Sequence, residues 1–112
     1  MMATETRERW AVEWTNAHEV ERRLASSEGD AYRESDDAAA FASDVVGETV
    51  AYYKSKSAAM RKAREVAAFD WWGCARVQRE TAEWFDYGDG FGEWEWKPDG
   101  DLIEVEPEGG AA

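Results

Sequence analysis

An α+β fold is predicted by three observations. Apolar residues alternate at Trp10, Val12 and Trp14 and again late in the chain, the period of a half-buried strand. Alanine, methionine and valine recur at helical spacing from Ala59 to Ala67. Glycine and proline clusters then separate three further β-rich stretches. The resulting order, β-α-α-β-α-β-β-β, predicts a single small domain over 1–106. It has a mainly antiparallel sheet of about five strands with two to three helices on one face. Residues 107–112 read as a flexible C-terminal tail.

The first strand covers Trp10–Trp14. Asn16 with Glu19 forms a capping pattern, and Ala17, Val20 and Leu24 follow at helical spacing, so a short helix to about Ala25 is expected. A hairpin strand through His18, Val20 and Arg22 is the alternative. Ser26 to Glu34 reads as a loop. Ser35 is placed to cap a second helix with Asp36 and Asp37 in its first turn and Ala38, Phe41, Ala42 and Val45 as its stripe; Gly47 ends it.

Thr49–Lys54 is β-branched and aromatic, hence a strand. Ser55 or Ser57 caps the next helix, which turns Ala59, Met60, Ala63, Val66 and Ala67 inward and Arg61, Lys62, Arg64 and Glu65 to water. After Gly73, strands over Ala75–Tyr87, Glu93–Lys97 and Leu102–Glu106 are expected as a three-stranded meander. Its turns are Gly88–Gly92 and Pro98-Asp99-Gly100.

Composition narrows the functional classes. Of 112 residues, 44% are hydrophobic and 7 are Trp, enough for a folded core despite a net charge of −12. That charge disfavours direct contact with nucleic acid or an anionic membrane and favours a basic partner, or solubility alone. It is uneven: residues 1–53 carry −7, residues 54–82 carry +4 and residues 83–112 carry −9. No apolar run approaches the roughly 20 residues of a membrane span, and the first residues lack the features of a signal peptide, so a cytoplasmic location (or a host cytoplasm) is expected.

A lone cysteine, Cys74, offers neither an internal disulfide nor a cysteine zinc site. It pairs with the lone histidine, His18, only as a remote candidate dyad; a packed thiol and a surface imidazole are the simpler roles. Gly88–Gly92 lacks the following helix of a phosphate loop, and Asp86, Asp89 and Glu93 miss the spacing of a calcium loop. No enzyme, metal or cofactor is therefore expected.

The suggestive feature is acidic. Alternation separates Trp94 and Trp96 from Glu93, Glu95 and Lys97. In the expected meander Ile103 and Val105 join the Trp face, while Glu104 and Glu106 join Glu93 and Glu95. Four carboxylates would then repeat about every 7 Å along a strand and lie about 5 Å apart across strands. That density is within a factor of two of DNA phosphates, spaced about 3.4 Å along each strand.

The expected function is non-catalytic binding by nucleic-acid mimicry, inhibiting or regulating a basic, nucleic-acid-binding protein. Small acidic inhibitors from phages and mobile elements, including anti-restriction and anti-CRISPR proteins, act this way as a class. Glu93, Glu95, Glu104 and Glu106 are the candidate partner-binding residues, with Glu83, Asp86 and Asp89 as outlying charge. A solvated sheet face that only confers solubility is the alternative use of the same residues. An assembly role is the alternative from another class. The basic segment from Lys54 to Arg79 could meet the acidic sheet of a second copy, and of the adjacent Trp71 and Trp72 one is expected outward as an apolar anchor.

Overall fold

A computed structural model describes residues 6–107. It shows the α+β architecture: a curled antiparallel sheet with helices. The strands are β1 (Thr6–Trp14), β2 (Thr49–Tyr53), β3 (Ala75–Gly88), β4 (Phe91–Pro98) and β5 (Ile103–Val105). The helices are α1 (Ala17–Leu24), α2 (Asp30–Glu34), α3 (Ala38–Ala40, continuing as a π-helix over Phe41–Val46) and α4 (Lys56–Ala67). The sheet order is β2-β1-β3-β4, and β5 also pairs with β3.

Helix α4 forms because Ser55 accepts a hydrogen bond from Ala58 N at 3.2 Å, closing its N-terminus. Small buried residues (Ala59, Ala63 and Ala67, with Val66) bring its axis close to the sheet. There it meets Val12 and Trp14 of β1, Ala75 and Val77 of β3 and Val105 of β5. Each fully buried valine of this core contributes about 1.5 kcal/mol or more by leaving water.

The other helices build a separate cluster beyond the end of β1, in which Val20, Phe41 and Ala42 are buried with Leu24, Tyr32 and Trp71 packed around them. So of the helices expected on one face, α4 is the one that covers the sheet. Asn16 caps α1, accepting from His18 N and Glu19 N. The expected loop at 26–34 instead holds a 3₁₀ turn (Ser27–Gly29) and α2. Asp37, not Ser35, caps α3, accepting from Ala40 N at 3.2 Å, because Asp36 lies in the left-handed region and resets the chain before the helix starts.

The junction between the cluster and the sheet is pinned by Asp70, whose side chain is fully buried. One carboxylate oxygen accepts from Thr15 N at 2.7 Å and the other from Trp72 N at 2.7 Å. Main-chain bonds from Ala17 N to Phe69 O and from Trp71 N to Thr15 O complete the seam. The Arg76 guanidinium lies 3.7 Å from the same carboxylate.

The C-terminal pairing differs from a meander. β4 and β5 lie end to end along the same edge of β3: Glu95 faces Glu83, and Glu104 faces Arg76. The connection does not fold back on β4, because Asp99 N donates to Arg79 O and Gln78 Nε2 donates to Gly100 O, leading the chain along β3. Of the expected tail, residues 108–112 lie outside the described residues.

Candidate protein-binding surface

That end-to-end arrangement decides where the predicted acidic residues go. Directly opposed residues share a face. Ile103 and Val105, opposite Val77 and Ala75, therefore sit on the α4 face, and Glu104, opposite Arg76, sits on the other. Trp94 and Trp96, opposite Trp84 and Ala82, also lie on the face away from α4, and Glu93 and Glu95 lie on the α4 side. The expected patch of Glu93, Glu95, Glu104 and Glu106 is thus divided. Its halves occupy opposite faces, and Arg76 and Glu83, their anchors on β3, are seven residues or about 23 Å apart. Parity runs on unchanged from β4 to β5 because both follow one edge; a hairpin between them would have been needed to bring the four together.

Glu83, Asp86, Asp89, Glu93 and Glu95 do remain together. β1 pairs with β3 as far as Thr6 opposite Glu83. Beyond that point β3 and β4 run on, among the described residues, as a two-stranded arm. Strong β-formers (Trp84, Phe85, Tyr87, Phe91 and Trp94) favour the extended backbone. The tip closes through Gly88, Asp89 and Gly90, all with positive φ, and Asp86 steadies it by accepting from Gly88 N at 2.8 Å. Gly92 is required for a different reason: a Cβ there would lie 2.4 Å from the Trp84 ring. The missing side chain lets Trp84 lie across the ribbon, edge-on to Trp94 at a centroid distance of 5.5 Å.

Residues 83–95 hold five carboxylates, five aromatic side chains and no cation. Phe85, Tyr87 and Phe91 are each more than half exposed. Glu83 and Glu95 face one another directly, a like-charge pair that opposes folding by some tenths of a kcal/mol. Lys97, just outside the arm, reaches Glu95 at 3.7 Å. The Tyr87 hydroxyl donates to Glu93, and this bond, with slight desolvation and the charges of Glu93 and Glu95 behind it, raises the Tyr87 pKa.

The face away from α4 carries a stacked array that the sequence did not reveal. The Arg9 guanidinium lies 3.8 Å from the Tyr52 centroid on one side and 3.8 Å from the Trp96 centroid on the other. Arg7 lies 4.1 Å from the Trp94 centroid. Ala82 lies between their strands, opposite both Arg7 and Trp96, and is small enough for the arginines of β1 to cross β3.

The remaining candidates are placed as follows. Trp71 packs into the helical cluster, and Trp72 turns outward, 49% exposed. Trp72 lines an open groove with Met60, Arg64, Cys74, Glu104 and Glu106. His18 is exposed on α1 beside Phe69, 6.2 Å between ring centroids. Cys74 is half-buried, its N–H directed at Asp70. Among the described residues no group of His, Cys, Asp and Glu is arranged to hold a metal ion, and no helix is long and apolar enough to cross a membrane.

Comparison with known proteins finds no family model, no curated protein and no solved structure that matches this chain.

Proposed function

We propose that the protein is a non-catalytic binding protein whose acidic, aromatic arm occupies a basic surface of a partner, inhibiting or regulating it. The observation that carries this reading is the arm itself: five carboxylates and no cation within residues 83–95, around aromatic side chains left open to solvent. Strand formation accounts for aromatic residues in the arm but not for its carboxylates or for so much uncovered aromatic surface. Opposed Glu83 and Glu95 cost stability, and exposed Phe85, Tyr87 and Phe91 are the aromatic anchors typical of contact surfaces.

Negative charge on a projecting ribbon matches a groove lined with Lys and Arg, the kind of site that otherwise holds a nucleic-acid backbone. Nucleic-acid mimicry, as used by inhibitors that phages and mobile elements encode, is the specific form of this proposal. Glu104 and Glu106, at the other end of β3, do not belong to the same contact.

The test is capture from native-host lysate at about 50 mM salt, with a variant carrying Glu83→Gln, Asp86→Asn, Glu93→Gln and Glu95→Gln alongside. The expected result is a nucleic-acid-binding protein retained by the wild type, released by heparin or by about 0.5 M salt, and lost with the variant. Equal retention by both proteins would overturn the reading.

A further inference from the structure

The sheet has two outer edges, and they are treated differently. The β4 edge ends in Lys97 and Pro98, a cation and a residue without an N–H, both of which discourage a further strand. β2 has no proline, and the cation that follows it, Lys54, is matched by Glu48 at its other end. Thr49–Tyr53 is a run of β-branched, small and aromatic residues bonded to β1 on one side and unpaired on the other among the described residues. On the face away from α4 it presents Val50 and Tyr52, 39% and 52% exposed.

We infer that β2 pairs with β2 of a second copy of this chain, antiparallel, about a two-fold axis at Ala51. The segment Glu48-Thr-Val-Ala-Tyr-Tyr-Lys54 is complementary to itself when reversed. Glu48 then faces Lys54 of the second copy, Thr49 faces its Tyr53, Val50 faces its Tyr52, and Ala51 meets Ala51 on the axis. Opposite charges and aromatic with β-branched residues are the pairs that stabilise neighbouring strands. Moving the axis to Val50 separates both ion pairs, and moving it to Tyr52 sets Glu48 opposite Lys56, which lies in α4 rather than on the strand, so strand and charge together select one register.

The pairing also satisfies the open backbone edge and covers Val50 and Tyr52 together. It extends the stacked array, since Tyr52 already carries Arg9 on its ring. Helix α4 packs principally over β1 and β3, on the face opposite to Val50 and Tyr52, and touches β2 through Ala51 and Tyr53. Each chain bears −12, so the copies repel at long range and the association is weak and favoured by salt. Binding through the arm has the opposite salt dependence and uses other residues, so either proposal can fail without the other.

The experiment is sedimentation equilibrium on the full chain from on the order of 10 μM to 1 mM at about 0.3 M salt. Wild type, K54E, E48K and the double variant E48K/K54E are compared after circular dichroism confirms that each is folded. Each single change sets like charges face to face at both ends of the paired strands and is expected to weaken the dimer about tenfold. The double variant restores both ion pairs with signs exchanged and returns to within about twofold of wild type. A wild-type monomer throughout the range, a dimer indifferent to the single changes, or a double variant that stays weak would each overturn the inference.

Discussion

The guanidinium of Arg9 is held between two rings, Tyr52 on β2 and Trp96 on β4, at 3.8 Å from each centroid. Its Nε also donates to Glu80 at 2.7 Å, and both partners of that ion pair are largely buried. One side chain thereby ties three other strands to β1 across a face on which no helix packs among the described residues.

Arg9→Lys keeps the charge but not the plane that stacks and donates. Two cation–π contacts of about 0.5–1 kcal/mol each are weakened, so Arg9→Lys is expected to cost about 1 kcal/mol and Arg9→Ala about 2. Urea unfolding followed by tryptophan fluorescence measures both. A cost for Arg9→Lys near zero would show that charge, not stacking, is what the site uses.

This array shows where sequence reading stops. Alternation placed Trp94 and Trp96 on one side of β4 and Glu93 and Glu95 on the other, as found. Arg9 is more than 80 residues from Trp96, and only the β1–β3 and β3–β4 registers bring them together. The acidic patch failed for a related reason. Pro98-Asp99-Gly100 has the composition of a hairpin turn, yet Gln78 on β3 captures Gly100 O and directs β5 onto β3. No local signal in the turn encodes that bond. The strands and the longer helices were legible because periodicity and most caps are local, whereas α2 and the Asp37 cap of α3 were not. The site depended on which strands became neighbours.

Asp70 is a second case without a local signal, and it should be among the most sensitive positions in the chain. Its carboxylate accepts from Thr15 N and Trp72 N inside the seam between the helical cluster and the sheet. Asp70→Ala strands the two close main-chain donors, Thr15 N and Trp72 N, and the longer one from Cys74 N at 3.4 Å; each unsatisfied donor costs about 1–3 kcal/mol, so a loss of about 3 kcal/mol or more is expected. Asp70→Asn keeps one acceptor oxygen and should lose about half as much. Thermal melts separate the two; equal, small losses would mean that water replaces the carboxylate.

Gly92 tests whether the arm depends on the Trp84 ring lying across it. Gly92→Ala places a methyl group 2.4 Å from that ring and 2.7 Å from Phe85 O. Either Trp84 leaves Trp94 or the ribbon bends, at about 1–3 kcal/mol. The near-ultraviolet circular dichroism of the Trp84–Trp94 pair should diminish while the far-ultraviolet signal of α4 is kept. An unchanged near-ultraviolet spectrum would show that the ring has room to move.

Glu13 makes a prediction about acid stability. It is half-buried on β1 opposite Val50 and Arg76. Burial raises its pKa above the usual carboxylate value, and Glu48 and Glu80 add to this while Arg76 opposes it. The folded protein therefore holds this proton to higher pH than the unfolded chain does. Where the folded form binds more protons, stability falls as pH rises, so this group destabilises the fold above its folded pKa and ceases to do so below the ordinary carboxylate pKa. Glu13→Gln removes the penalty at neutral pH. The variant should be more stable than wild type at pH 7 by on the order of half a kcal/mol, discounted for solvent screening. The difference should shrink as the pH is lowered through the raised pKa toward 4. Chemical denaturation at pH 7 and at pH 4 measures both values. A variant less stable than wild type at pH 7 would mean that the attraction between Glu13 and Arg76 outweighs the cost of burying the charge.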